Sequence, residues 1–178
     1  SGPSGAGKGT LVTRVRERRS NLGLTVSATT RAPRKGEVDG VNYFFLTREE
    51  FDRRVANGEF VEWAEVHGNC YGTLVSEVTS KLASGSSLIL EIDVQGALQV
   101  KERFPEAVLI FIKPPWLEVL RERLVGRGTE TPETIELRMA NAADELALAD
   151  RYDDVVVNDD LDRATDELVR VLDMHERI

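Results

Sequence analysis

Gly2-Pro3-Ser4-Gly5-Ala6-Gly7-Lys8 stands at the head of the sequence and fits the pattern G-x-x-x-x-G-K. A loop of this kind turns successive backbone N–H groups toward phosphate oxygens, and glycine permits the tight approach. The helix expected after it adds the positive end of its dipole. Lys8 then reaches the outer phosphates of a bound nucleotide and offsets charge there. The plain alternative is a glycine-rich turn before an ordinary helix, but lysine and helix both sit where phosphate binding needs them. One position departs from the pattern. A serine or threonine usually follows the lysine and offers a hydroxyl to Mg²⁺, whereas here Gly9 follows and Thr10 comes one place later. Mg²⁺ is therefore expected to be held mainly by water, phosphates and a carboxylate, with Thr10 free to contact an inner phosphate. Such a loop normally follows a buried strand, so a strand is expected ahead of Ser1, and no residues in the sequence supply it.

Outward from this loop, strand and helix signals alternate, the rhythm of a parallel sheet covered by helices. Apolar strands fit near Leu22–Ala28, Ser87–Asp93, Val108–Ile112 and Asp154–Val157. Helices fit Lys8–Arg19, Leu74–Ala83, Val94–Phe104, Trp116–Gly126, Pro132–Ala149 and Leu161–His175. Leu117, Leu120 and Leu124 fall on one helical face, and Thr131 before Pro132 reads as a cap with proline in the first turn. The fold class is α/β: a P-loop parallel sheet flanked by helices. Its 178 residues suffice for one domain with a sizeable core. Hydrophobic residues make up 41% and charged residues 30%, as in ordinary globular proteins. The net charge of −8 disfavours a broad nucleic-acid surface, so anions must be met by local clusters of cations. No apolar run reaches membrane-spanning length and no secretory leader is visible. Cys70 is the only cysteine, which is compatible with a reducing cytoplasm, the expected location.

The stretch from Val41 to Tyr71 breaks the rhythm. It holds Tyr43-Phe44-Phe45-Leu46, a short helix and the alternating run Phe60-Val61-Glu62-Trp63-Ala64-Glu65-Val66. Thr47 and Glu50 make a capping box for that helix. Pro33, Gly36, Gly40 and Gly58 punctuate the stretch, which reads as a small, mainly antiparallel subdomain inserted into the parallel core. Just before it, Ser27-Ala28-Thr29-Thr30-Arg31-Ala32-Pro33-Arg34-Lys35-Gly36-Glu37 places two arginines three apart on a Pro/Gly loop, a fork suited to a phosphate. Tyr43 and Tyr71 offer hydroxyl donors. A solvated basic loop is the alternative reading of the arginines.

Leu88-Ile89-Leu90-Glu91-Ile92-Asp93 is an apolar strand ending in carboxylates, the usual setting of a magnesium-organising acid. The alternative is an aspartate that caps the next helix. Asp93-Val94-Gln95-Gly96 also spells the D-x-x-G of small GTPases, but their Asn-Lys-x-Asp motif is absent and Asn158-Asp159-Asp160 lacks the lysine.

Taken together, the sequence resembles the guanylate kinase family. The resemblance rests on Gly2–Lys8, Ser27–Gly40 with Tyr43, Glu59–Ala64, Tyr71-Gly72-Thr73, Glu91–Gly96, Gly126–Thr131 and Val157–Asp160, in the family's order over essentially the whole chain. It implies transfer of the γ-phosphate of ATP to GMP, and to dGMP, with Mg²⁺ carried by ATP. It implies one domain: a core (1–30, 74–120 and 150–178), a GMP-binding subdomain (31–73) and a helical lid (121–149). By resemblance, Gly2, Pro3, Ser4, Gly5, Ala6, Gly7, Lys8, Gly9 and Thr10 bind ATP, with Asn158 and Asp159 on the adenine side. Arg31, Arg34, Tyr43 and Tyr71 hold the GMP phosphate. Ser27, Glu62, Gly72 and Thr73 surround the guanine, with Glu91 and Asp93 nearby. Lys8, Arg123, Arg127 and Arg138 are the catalytic cations. No dedicated protein metal site, nucleic-acid polymer, membrane or obligate protein partner is expected. His67 and His175 are expected at surface or helix-end positions. Without nucleotide, Gly126–Thr131 is expected open or poorly ordered, with Arg127 and Arg138 far from the phosphate loop. Two rivals stay open: a guanylate kinase-like module that binds phosphorylated partners without catalysis, against which the intact phosphate loop argues, and a kinase for another small phosphate acceptor, against which Ser27 and Glu62 argue.

Overall fold

The computed structural model describes residues 1–126, 128 and 130–176. In chain order the elements are α1 (Lys8–Arg18), β1 (Leu22–Leu24), β2 (Ala28–Thr29), β3 (Phe44–Phe45), α2 (Arg48–Ala56), β4 (Phe60–Val66), β5 (Asn69–Leu74), α3 (Val75–Leu82), β6 (Ser87–Ile89), α4 (Val94–Arg103), β7 (Ile110–Lys113), α5 (Leu117–Gly126), α6 (Pro132–Leu146), β8 (Asp154–Val157) and α7 (Leu161–Glu176), with a 3-10 turn at Ala149–Arg151. They form two units, one from Ser1–Arg18 and the chain from Glu106 onward, the other from Arg19–Pro105.

In the first unit β7 and β8 pair in parallel, Ile110 opposite Asp154 and Lys113 opposite Val157. Phe111 and Val156 are fully buried. Ser1 runs beside β7: its backbone nitrogen donates to the Ile110 carbonyl at 2.7 Å, and its carbonyl accepts from the Ile112 N–H at 2.7 Å. This fixes where the phosphate loop begins. Leu11 and Val15 bury one face of α1, and Ala164, Leu168 and Val171 bury one face of α7. Arg14 with Asp162 and Arg18 with Asp166 form ion pairs between these helices; being largely exposed, each contributes no more than about 1 kcal/mol. Leu120 and Leu124 of α5 pack with Ile135 and Ala142 of α6. Thr131 caps α6, accepting from the Thr134 N–H at 3.3 Å, with Pro132 in the first turn as expected.

In the second unit β1 and β6 pair in parallel, and a separate sheet has the order β3-β2-β5-β4. Only its β2–β3 pair is parallel. The single strand expected over Leu22–Ala28 is thus two strands belonging to different sheets. Between them the Thr25 N–H goes to the Ile89 carbonyl at 3.1 Å, and the Val26 N–H goes to the Glu77 carboxylate of α3 at 2.9 Å. The side chain of Glu77 takes over from the ladder where the chain changes sheets. The strand expected over Ser87–Asp93 likewise stops at Ile89, and Asp93 caps α4, accepting from the Gly96 N–H at 2.8 Å.

Ala28, Phe51, Phe60, Cys70 and Leu74 form the core of this second unit, with Phe51 stacked on Phe60 at 4.5 Å. Half of the expected capping box forms at α2: Thr47 accepts from the Glu50 N–H at 3.1 Å, while the Glu50 carboxylate turns to Arg54 at 2.9 Å.

Candidate active site

Two clusters of functional groups arise, one in each unit. In the first, the phosphate loop bends through glycines before α1. Gly7 has φ +90°, and a Cβ there would lie 2.4 Å from Nδ2 of Asn158, so only glycine fits. That Nδ2 donates to the Ala6 carbonyl at 2.8 Å. Arg123 donates to the Asn158 carbonyl at 2.9 Å and to the Ala6 carbonyl at 3.4 Å. Asn158 at the end of β8 and Arg123 of α5 therefore brace the loop, a role the sequence did not reveal. Lys8 folds its ammonium onto the carbonyls of Gly2 at 2.5 Å and Pro3 at 3.2 Å, within the concavity that the loop forms. Gly9 and Thr10 are exposed at the start of α1. Asp159 is engaged by Arg163 one helical turn on.

Arg138 of α6 donates to the Ser4 hydroxyl. It also lies 2.9 Å from Glu130 in an ion pair that lacks hydrogen-bond alignment. The expectation that Arg138 stands far from the phosphate loop without nucleotide is therefore wrong: the Ser4 hydroxyl and the Glu130 carboxylate keep its guanidinium beside the loop. Arg127 lies outside the described residues. His175 ends α7 paired with Asp154 at 2.6 Å, and His67 sits at the turn between β4 and β5.

In the second unit a bulge shapes the site. Phe60 pairs with Leu74 and Glu62 with Thr73, leaving Val61 as the extra residue. The shift leaves Trp63 and Glu65 facing out and buries Glu62 to 3% exposure, so Glu62 is not the exposed member of an alternating strand. Its carboxylate accepts from the Thr73 hydroxyl at 2.6 Å. Burial, reinforced by the nearby Asp93 charge and partly countered by Thr73, pushes its pKa up to about 7. No cation pairs with it among the described residues. Helix α4 packs on β4 through Gln99, whose amide exchanges hydrogen bonds with the Trp63 backbone at 2.7 and 3.1 Å. This brings Gly96 against Glu62, where a Cβ would lie 2.2 Å from Oε2. Gly96 is thus a site residue that sequence reasoning placed only in a motif. Gly72 sits where β5 crosses β4, and a Cβ there would meet Phe60 at 2.7 Å.

Arg31 lies 5.2 Å from the centre of the Tyr43 ring, and Tyr43 and Tyr71 meet edge-on at 6.1 Å. Burial raises the Tyr43 phenol pKa, the Tyr71 and Glu91 charges acting in the same direction, so the hydroxyl stays a donor. Glu37 binds Arg31 with both oxygens, at 2.9 and 3.0 Å. The Arg34 guanidinium is exposed and has no hydrogen bond among the described residues. Ser27 supports the start of β3 through its carbonyl, 2.9 Å from the Phe44 N–H.

A phosphate loop with its lysine, arginines carried on following helices, and a separate cluster of arginines, tyrosines and one buried carboxylate define a P-loop phosphotransferase. The comparisons narrow this class. The sequence pattern of the guanylate kinase family matches residues 1–175, and the chain belongs to that family. It is 53% identical over 172 residues to a guanylate kinase of Halalkalibacterium halodurans and 56% identical over 172 residues to one of Gloeobacter violaceus. Each match covers 97% of this chain and 84% of the relative. The crystal structure of guanylate kinase from Anaplasma phagocytophilum superimposes with a TM-score of 0.78 at 38% identity, covering 93% of this chain and 80% of that one.

Proposed function

We propose that the chain transfers the γ-phosphate of ATP to GMP, and to dGMP, giving ADP and GDP. The observation that carries this is Glu62: a carboxylate 3% exposed, with one hydroxyl partner and no cation. A buried carboxylate of this kind needs donors. Guanine offers a ring imino N–H and an exocyclic amine side by side, and a carboxylate accepts both. Adenine presents a lone pair where the imino donor would be. The phosphate loop with Lys8 argues against a binding module without catalysis.

In this reading residues 31–73 hold the acceptor, residues 121–149 form the lid, and the remaining segments are the core. Arg31, Arg34, Tyr43 and Tyr71 bind the GMP phosphate; Ser27, Gly72, Thr73, Glu91 and Asp93 shape the base pocket with Glu62. The loop Gly2–Thr10 holds the ATP phosphates, with Asn158 and Asp159 on the adenine side. The attacking group is a phosphate oxygen of GMP, already anionic near neutral pH, so no strong general base is required. Positioning and charge neutralisation then carry most of the rate, which assigns Lys8, Arg123, Arg127 and Arg138 to the migrating phosphoryl group. Mg²⁺ fits as an ion that arrives with ATP and would be held mainly by phosphates, water and a carboxylate, since Gly9 stands where a hydroxyl usually follows the lysine. When bound it would neutralise phosphate charge. Among the described residues no helix is long and apolar enough to cross a membrane; the cytoplasm, which supplies both nucleotides, is the location this reading expects. A coupled assay of ADP release with GMP, dGMP, AMP, CMP and UMP tests the proposal. Turnover is expected with GMP and dGMP, and turnover with AMP at a comparable rate would overturn it.

A further inference from the structure

We propose that Glu37 is a positioning residue for the acceptor phosphate, orienting Arg31 so that one edge of its guanidinium is left for the ligand. This deepens the GMP reading and rests on it. A guanidinium has five N–H donors. Both on Nη1 are used, by the Ala32 carbonyl at 2.7 Å and by Glu37 at 3.0 Å. One on Nη2 is used by the other Glu37 oxygen at 2.9 Å. What Glu37 and Ala32 do not take is Nε–H and the second N–H of Nη2, adjacent donors on one edge that match two oxygens of a phosphate; the Tyr43 and Tyr71 hydroxyls engage the guanidinium in the ligand-free protein, and a phosphate would join or displace them there. The Tyr71 hydroxyl also contacts this guanidinium, and Tyr43 lies against it at 5.2 Å. The arginine is thereby fixed in orientation before any ligand arrives.

Glu37 is built into its loop rather than laid upon it. Its N–H donates to the Arg34 carbonyl at 3.0 Å, and its carboxylate accepts from the Arg34 N–H at 2.7 Å, closing the turn 34–37 from both sides. The Arg31 and Glu37 side chains are only 14% and 19% exposed. Arg31 and the Arg34 N–H hold the Glu37 carboxyl below the usual carboxylate range, so it keeps its charge at neutral pH. That charge close to a phosphate is a cost, which the Arg34 guanidinium, close enough to act on the Glu37 charge, offsets. The same carboxylate thus sets the direction of one arginine and the backbone that carries the other.

The test is steady-state kinetics on the full chain with Glu37→Gln and Glu37→Ala, together with inhibition by guanosine, which has the base and no phosphate. The KM for GMP is expected to rise about tenfold, the cost of ordering one long side chain on binding. The KM for ATP and the guanosine inhibition constant are expected to stay within about twofold. An unchanged KM for GMP overturns the proposal. So does a lowered one, which would make Glu37 a competitor of the phosphate. A guanosine constant that rises in step with the GMP value also overturns it, because the whole subdomain would then have loosened. If the unaltered enzyme ignores GMP while turning over another acceptor, the acceptor reading itself fails and the role of Glu37 with it.

Discussion

Glu62 is held in a state that a bound guanine would reverse. Burial first, then the Asp93 charge, raises its pKa from 4.5 to about 7. The folded ligand-free protein therefore favours the protonated form more than the unfolded chain does. Its contribution to stability is full below about pH 4.5, falls as pH rises toward about 7 and is level above. In the proposed reading guanine is held by the ionised form, so binding would release a proton below that pKa. Guanosine affinity is expected to weaken about tenfold from pH 8 to pH 6, the loss of the ionised fraction for a group titrating near 7. Using guanosine removes the titration of the GMP phosphate from the measurement. A flat profile between pH 6 and 8 would show that Glu62 is already ionised. Lys8 is expected to behave differently: Lys8→Ala lowers kcat by at least about a hundredfold with the circular dichroism spectrum unchanged. The sequence singled out both Lys8 and Glu62 as candidates, one from its loop and the other by resemblance. Glu37 was not, because its meaning lies in a turn that brings residue 37 back to residues 31 and 34. The bracing role of Asn158 and Arg123 joins positions over a hundred residues from the loop, and no local pattern records that.

At the level of elements, the helices were read within a few residues from their apolar spacing and their caps at Thr47 and Thr131. The strands were read less well. Leu22–Ala28 is continuous in hydropathy yet serves two sheets, because hydropathy reports burial and not the identity of the partner strand. The bulge at Val61 was invisible for the same reason: it is a matter of register against β5. That bulge and the docking of α4 on β4 together bury Glu62 and set Gly96 against its carboxylate. Gly96→Ala tests this arrangement. A methyl group 2.2 Å from Glu62 Oε2 must displace either the carboxylate or the helix, at a cost of about 1–3 kcal/mol. The KM for GMP is expected to rise about tenfold to a hundredfold while the KM for ATP holds. Equal losses for both nucleotides would point to general unfolding.

Over the whole molecule, a net charge of −8 accompanies two strongly anionic substrates. In the proposed reading attraction comes from local cations such as Lys8, Arg31 and Arg34 and acts at short range, not from a broad basic surface. The sole cysteine, Cys70, lies in the core of the second unit, 0% exposed, with burial raising its thiol pKa. A thiol so placed reacts with an alkylating reagent only when the fold around it opens, so its labelling rate is a clock for opening events in that unit alone. With GMP at a hundred times its dissociation constant, labelling is expected to slow about a hundredfold, since the ligand must leave before the strand that carries Cys70 and Tyr71 can separate. AMP at the same concentration is expected to leave the clock running at its original pace.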